Sequence, residues 1–291
     1  MNRSTFLSLF GAFLAFGPVL VTDSNAQTPA PWPDLLTAPL LLGGQWEGWD
    51  PRDARVVISR MREACLSGVQ LISDEQPREL RVDEHHSGPP HVWLHEGQPD
   101  LGWVVVDFAD LHWIQLAYQF GHELGHVLCN SWIWEAELKP PTRWLEESMV
   151  EAFSIRGLGL LADSWEQDPP FPQNSAYAKA IRAYRQNLIE GYRRGPDGQP
   201  VSNLAEWFHA NRAALDRDHG LNRNAGPAIV AILAEFERDK RCVVDMGAVN
   251  RWPGRCGIPV EEYLAVWQVS CAQLSAPGVL PARLKTLLDM A

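Results

Sequence analysis

The chain predicts an α+β fold, with a small, mostly antiparallel N-terminal sheet followed by a mainly helical C-terminal lobe. Short apolar runs bounded by Gly and Pro crowd the stretch before about residue 109, the pattern of strands. From Asp110 onward nearly every segment repeats its apolar residues at helical spacing. With 46% hydrophobic residues and 13 Trp, the chain has ample side-chain surface to bury a core.

The elements follow in order. Arg3 gives a short positive start, Phe6 to Val21 is apolar, and Ser24-Asn25-Ala26 ends on small residues. That is the pattern of a secretory signal peptide over residues 1–26, cleaved before Gln27. The apolar run is short for a membrane span and holds Gly17-Pro18, so no stable membrane insertion is expected after cleavage, and the destination is periplasmic or secreted. Residues 27–34 form a Pro-rich linker. A single domain is expected over 35–291, with a sheet lobe to about 109 and a helical lobe from about 110. The pattern predicts a helix over 53–67 and strands at Val69–Ser73, Glu79–Val82, His91–Leu94 and Trp103–Phe108. Helices are expected at 110–129, 142–163, 175–194, 203–216, 226–239, 259–271 and 280–290.

Charge narrows the partners. The formal net charge is -11 and no Arg or Lys cluster forms a basic stripe, so nucleic acid and anionic membrane surfaces are excluded as natural partners. Of the five Cys, Cys242 and Cys256 bracket a Gly/Pro-containing loop that a disulfide would close in an oxidising compartment. No C-x-x-C pair exists, which argues against a structural zinc site. His85, His86, His91 and His95, beside Asp83 and Glu84, read as a solvated polar loop, with a second metal site as the alternative. His112 reads as structural.

The residues that carry chemistry are His122-Glu123-Leu124-Gly125-His126, in a segment of helical periodicity that starts at Asp110 and stops at Asn130-Ser131. Two His four apart lie about 40° apart on one helix face, so both imidazoles can reach one metal ion. Glu123 projects beside them, where a carboxylate can take a proton from water. Two buried imidazoles and a carboxylate on one turn would be costly without such a partner. A catalytic zinc takes a third protein ligand. The metzincin pattern is excluded, because Cys129 and Trp132 stand where it requires Gly and His. The segment Thr142-Arg143-Trp144-Leu145-Glu146-Glu147-Ser148-Met149-Val150-Glu151 offers three carboxylates on the next helix.

Together these two segments resemble the gluzincin metallopeptidases, the thermolysin-like and aminopeptidase-N-like zincins. In those enzymes a W-L-N-E-G-like or N-E-x-x-x-D-like segment follows the H-E-x-x-H. The resemblance covers about thirty-five residues. It implies one Zn²⁺ held by His122, His126 and Glu147, with Glu146 as the alternative ligand and Glu151 fixing a zinc-binding imidazole. It implies a zincin-like arrangement of sheet, metal helix and helical lobe, with Trp103–Phe108 as the cleft-side edge strand that pairs with an extended peptide. The expected activity is hydrolysis of a peptide or protein substrate with Glu123 as general base. The Tyr that the aminopeptidases use on the developing oxyanion is absent; Arg223 holds its place, and His209 or His219 could supply the His that thermolysin-like enzymes use in that role. The alternative reading is a non-catalytic exported binding or scaffold protein on the same fold.

Overall fold

Asp50 accepts a hydrogen bond from the backbone N–H of Arg52 and is followed by Pro51, whose missing donor is no loss at a helix start. These residues open α1 (Pro51–Leu66), which buries Val57, Ile58 and Met61. The computed structural model describes residues 34–44, 46, 50–70, 72–85, 88–107, 113–171, 176–218 and 223–290, with Arg223 described by its backbone. The expected signal peptide and all of the linker but Asp34 lie outside the described residues, as do Asp110, His112, His86 and His219.

Among the described residues four strands form one sheet: β1 (Leu40–Gly44), β2 (Glu79–Glu84), β3 (His91–Val92) and β4 (Leu101–Val106), in the order β1-β2-β4-β3. The sheet is not mostly antiparallel. β1 runs parallel to β2 in the register Leu40↔Leu80, and β2 runs parallel to β4 with Glu79↔Leu101. Only β3 opposes its neighbour, with His91↔Val105 and Val92↔Val104. The physical reason is the crossover through α1, which returns the chain to the same end of the sheet before β2 begins. β1, Leu40-Leu41-Leu42-Gly43-Gly44, carries no alternation and was not expected as a strand. Val69–Ser73 forms no strand in its described residues. The apolar run of β4 marks a strand buried on both faces, as interior parallel strands are. By the strand order β4 is interior, and the edges of the sheet are β1 and β3.

α2 (Trp113–Leu128) lies against β4 and β3 and packs on α1 and on α3 (Arg143–Gln167). Its C-terminus is closed by Asn130 in the left-handed region at φ 61°, with Ser131 N–H donating to His126 O at 2.9 Å. From Trp144 to Ile155 every residue of α3 is buried, including Glu146, Glu147 and Glu151. A helix covered on all sides is a central one. Around it stand α1, α2, α4 (Tyr177–Tyr192) and α6 (Gly226–Arg238), while α5 (Leu204–Leu215), α7 (Arg241–Met246), α8 (Val260–Gln273) and α9 (Val279–Leu287) complete the helical part. The result is a mixed α+β, mostly helical protein. No helix among the described residues is long and apolar enough to cross a membrane.

The approach of α2 to α3 depends on Gly125. A Cβ built there would lie 2.8 Å from Val150 Cβ, inside any permitted contact. Gly125→Ala is expected to push the helices apart and cost about 1–3 kcal/mol, as overpacking does. A denaturant titration showing an unchanged midpoint would refute the close-packing argument.

All five cysteines are buried and free, so the bridge expected between Cys242 and Cys256 is not formed. Their sulfurs face different partners: Arg283 Nη1 reaches Cys242 Sγ at 3.5 Å, and Lys139 N–H reaches Cys256 Sγ at 3.4 Å.

Candidate metal centre

Helical spacing brings His122 and His126 to one face of α2, with ring centroids 5.1 Å apart. Each ring is held by its Nδ1. His122 Nδ1 lies 2.9 Å from Glu151 Oε2, and His126 Nδ1 lies 3.0 Å from Glu146 Oε1. Both carboxylates are wholly buried and anchored in turn. Tyr118 donates its hydroxyl to Glu151 Oε1 at 2.6 Å. Asn250 Nδ2 donates to Glu146 Oε2 at 2.6 Å, to Ser131 Oγ at 2.9 Å and to Cys129 O at 3.2 Å. The Tyr263 hydroxyl donates to Asn250 Oδ1 at 3.3 Å.

The other nitrogens converge. Glu147 Oε2 lies 3.4 Å from His122 Nε2 and 3.5 Å from His126 Nε2, longer than most hydrogen bonds. One ligand atom from each of His122, His126 and Glu147 lies within 4.8 Å of the others, and no further such group occurs among the described residues. Each Nδ1 faces a carboxylate oxygen, which accepts its proton in a hydrogen bond, and this leaves an Nε2 lone pair pointing at Glu147. Two imidazole lone pairs and a carboxylate then meet with no hydrogen between them. That arrangement is repulsive unless a proton or a cation lies among them. The group can hold a metal ion.

Electrostatics agree. Burial alone would lower the His126 pKa, but the Glu147 charge and the bonds to Glu146 and Glu147 raise it to about 9. Burial likewise opposes, and bonds to Glu147 and Glu151 overcome, the shift that carries His122 well above its ordinary value. Burial would raise Glu147, yet the His126 charge and both imidazole bonds hold it well below. Both shifts favour the protonated form of the imidazoles while no cation lies among them. Each must lose its proton before Nε2 can bind a cation. Metal binding at pH 7 is expected to release protons, and affinity is expected to climb with pH until His126 deprotonates near 9. A pH electrode in weakly buffered solution during metal titration checks the release; no release would mean that the rings are already neutral.

Glu123 is 4% exposed and carries a raised pKa because burial disfavours its charge. With His122, His126 and Glu147 it lines a cleft of about 240 Å³, whose walls are the edge strand β3 with its flanking Pro90 and Leu94 and the loop at Ser131, Ala136, Glu137 and Leu138. His91 Nδ1 lies 2.9 Å from Pro89 O, and His95 Nε2 lies 3.1 Å from Leu101 O. The His91 ring lies tilted against Trp93 and the His95 ring meets Trp103 edge-on, and the His85 to His95 loop contributes no metal group among the described residues. Arg223 opens a single 3-10 turn, Arg223–Ala225, ahead of α6. Glu146, the alternative ligand in the sequence reading, holds His126 Nδ1 instead of joining the metal group. Asn250 gave no local signal, standing 104 positions from Glu146 in the chain. Arg143, also not singled out, lines the cleft and donates Nε to Glu147 Oε1 at 3.2 Å.

No protein-family model, curated protein or solved structure matches this chain. The fold and the site define a class all the same: a mixed α+β protein whose half-buried His122 and buried His126 and Glu147 can bind a metal ion beside a carboxylate in a cleft.

Proposed function

We propose that the protein is an exported zinc-dependent peptidase of gluzincin type, on a zincin-like fold. The observation that carries the reading is the convergence of two imidazole Nε2 atoms and one carboxylate, each ring held from behind by a buried glutamate. Two imidazoles and a carboxylate suit Zn²⁺ in a catalytic setting. When bound, Zn²⁺ supplies Lewis acidity, polarising a carbonyl and making water acidic enough to attack near neutral pH.

This chain's residues do the rest. Glu123 takes a proton from the water that attacks the scissile carbonyl carbon and passes it to the departing amine nitrogen. Its burial raises its pKa and so suits it to both halves of that transfer. Glu146 and Glu151 fix the two rings with Nε2 toward the centre. β3, the edge strand beside the cleft, is the natural place for an extended peptide to pair, in place of β4. The substrate is a peptide or protein.

Elemental analysis of the purified protein and a peptide-library digest test the reading together. Zinc near one ion per chain with cleavage is the expected result. Zinc without cleavage of any peptide would favour a binding or scaffold protein. Export is the reading of residues 1–26; N-terminal sequencing from the native host is expected to start at Gln27, and a start at Met1 would refute cleavage.

A further inference from the structure

Arg143 sits one turn ahead of Glu147 on α3, with its side chain 29% exposed where it lines the cleft. Its Nε is committed to Glu147 Oε1, and neither terminal nitrogen has a hydrogen-bond partner among the described residues. The bond at Nε fixes the plane of the guanidinium, so the remaining donors form a planar fork of the kind that matches a carboxylate. The surroundings are otherwise acidic, since Glu123, Glu137 and Glu147 line the same space. Apart from the two imidazoles of the metal group, the basic side chains lining it are Arg143 and His91.

The two oxygens of Glu147 separate the roles. Oε2 faces both imidazoles and Oε1 accepts from Arg143. The guanidinium is thus set one carboxylate away from the point where the imidazoles converge. A terminal carboxylate stands one residue beyond the scissile carbonyl, about 3.3–3.6 Å along an extended chain. At about 240 Å³ the cleft is also smaller than the roughly 300–1,000 Å³ of sites that enclose drug-sized ligands. A cleft of that size suits a chain end better than the middle of a long peptide.

Resting on the peptidase reading, we propose that Arg143 binds the free C-terminal carboxylate of the substrate, making this a carboxypeptidase that removes one residue at a time. Water oxygen bonds to the last internal carbonyl carbon, the C–N bond breaks, and the proton taken by Glu123 goes to the amine of the released amino acid. The carboxylate on Arg143 keeps its charge throughout.

Two N-acetylated tripeptide libraries of equal composition, one ending in free acids and one in amides, test this. Equilibrium dialysis against zinc-loaded Glu123→Gln reads binding without turnover, and digestion by the zinc-loaded wild type reads cleavage. Acids are expected to bind about 10- to 100-fold tighter than amides and to be trimmed from the C-terminus. Adding Arg143→Gln should remove the preference, while Arg143→Lys should keep part of it. Zinc content is measured for each, and if Arg143→Gln loses metal the Arg143→Lys pair decides. Equal binding and cleavage of acids and amides, or an unchanged preference without the guanidinium, overturns this proposal and leaves the peptidase reading standing. Cleavage of neither library overturns both.

Discussion

Glu123→Gln is expected to keep its metal and lose hydrolysis by about 10²- to 10⁴-fold, the usual worth of a positioned general base. The amide nearly preserves the shape of the side chain but cannot accept a proton from water. Glu123 is no member of the His122, His126 and Glu147 group, so metal content should not change. Its environment makes the loss large: the carboxylate is buried, and the charges of His122 and His126 partly offset the desolvation that raises its pKa. Kinetics on a cleaved peptide, with elemental analysis of the same preparation, gives both numbers. Loss of metal from Glu123→Gln would make Glu123 a ligand and undo the division of roles. Unchanged turnover would move the base elsewhere.

Glu147→Ala is expected to have the largest effect on the metal, because it removes the one carboxylate between the two Nε2 atoms. Metal should be lost in large part and hydrolysis with it. Glu146→Ala and Glu151→Ala should each weaken metal affinity about 10- to 100-fold, since each frees one ring to turn. Register along α3 alone would leave Glu146 without an effect. The structure reverses that expectation, because Glu146 Oε1 holds His126 and Oε2 holds Asn250. Glu146→Ala should carry a stability cost as well, about 1.5–3 kcal/mol for a lost hydrogen bond to a charged group, Asn250 Nδ2 keeping Ser131 Oγ and Cys129 O as acceptors. Glu151→Ala removes the charged acceptor of the Tyr118 hydroxyl, a comparable loss. Competition with a chromophoric chelator ranks the three variants. Full metal retention in Glu147→Ala would place the third ligand elsewhere and sink the gluzincin reading.

The pairing of His122 with His126, and the place of Glu123 beside them, were legible in the sequence because helical periodicity is local: four residues make one turn wherever the helix lies. The longer helical segments were legible for the same reason, the short α7 not, and Asn130 does end α2 as its residue type suggests. Glu147 came from a motif likeness, and the structure brings it to the two histidines. What only the tertiary structure decided are matters of long-range approach. The sheet turned out largely parallel because an unalternating Leu-Leu-Leu-Gly-Gly run joins it through α1, and pairing direction depends on that crossover. Glu146 reaches His126 because Gly125 lets α3 come within contact of α2, a distance that periodicity along α3 does not contain. Asn250 joins the site from a distant turn of the chain, and Cys242 and Cys256 are held by different partners rather than by each other. Spacing within a helix is set by its own backbone hydrogen bonds, whereas the partners of a buried carboxylate are set by how whole elements pack.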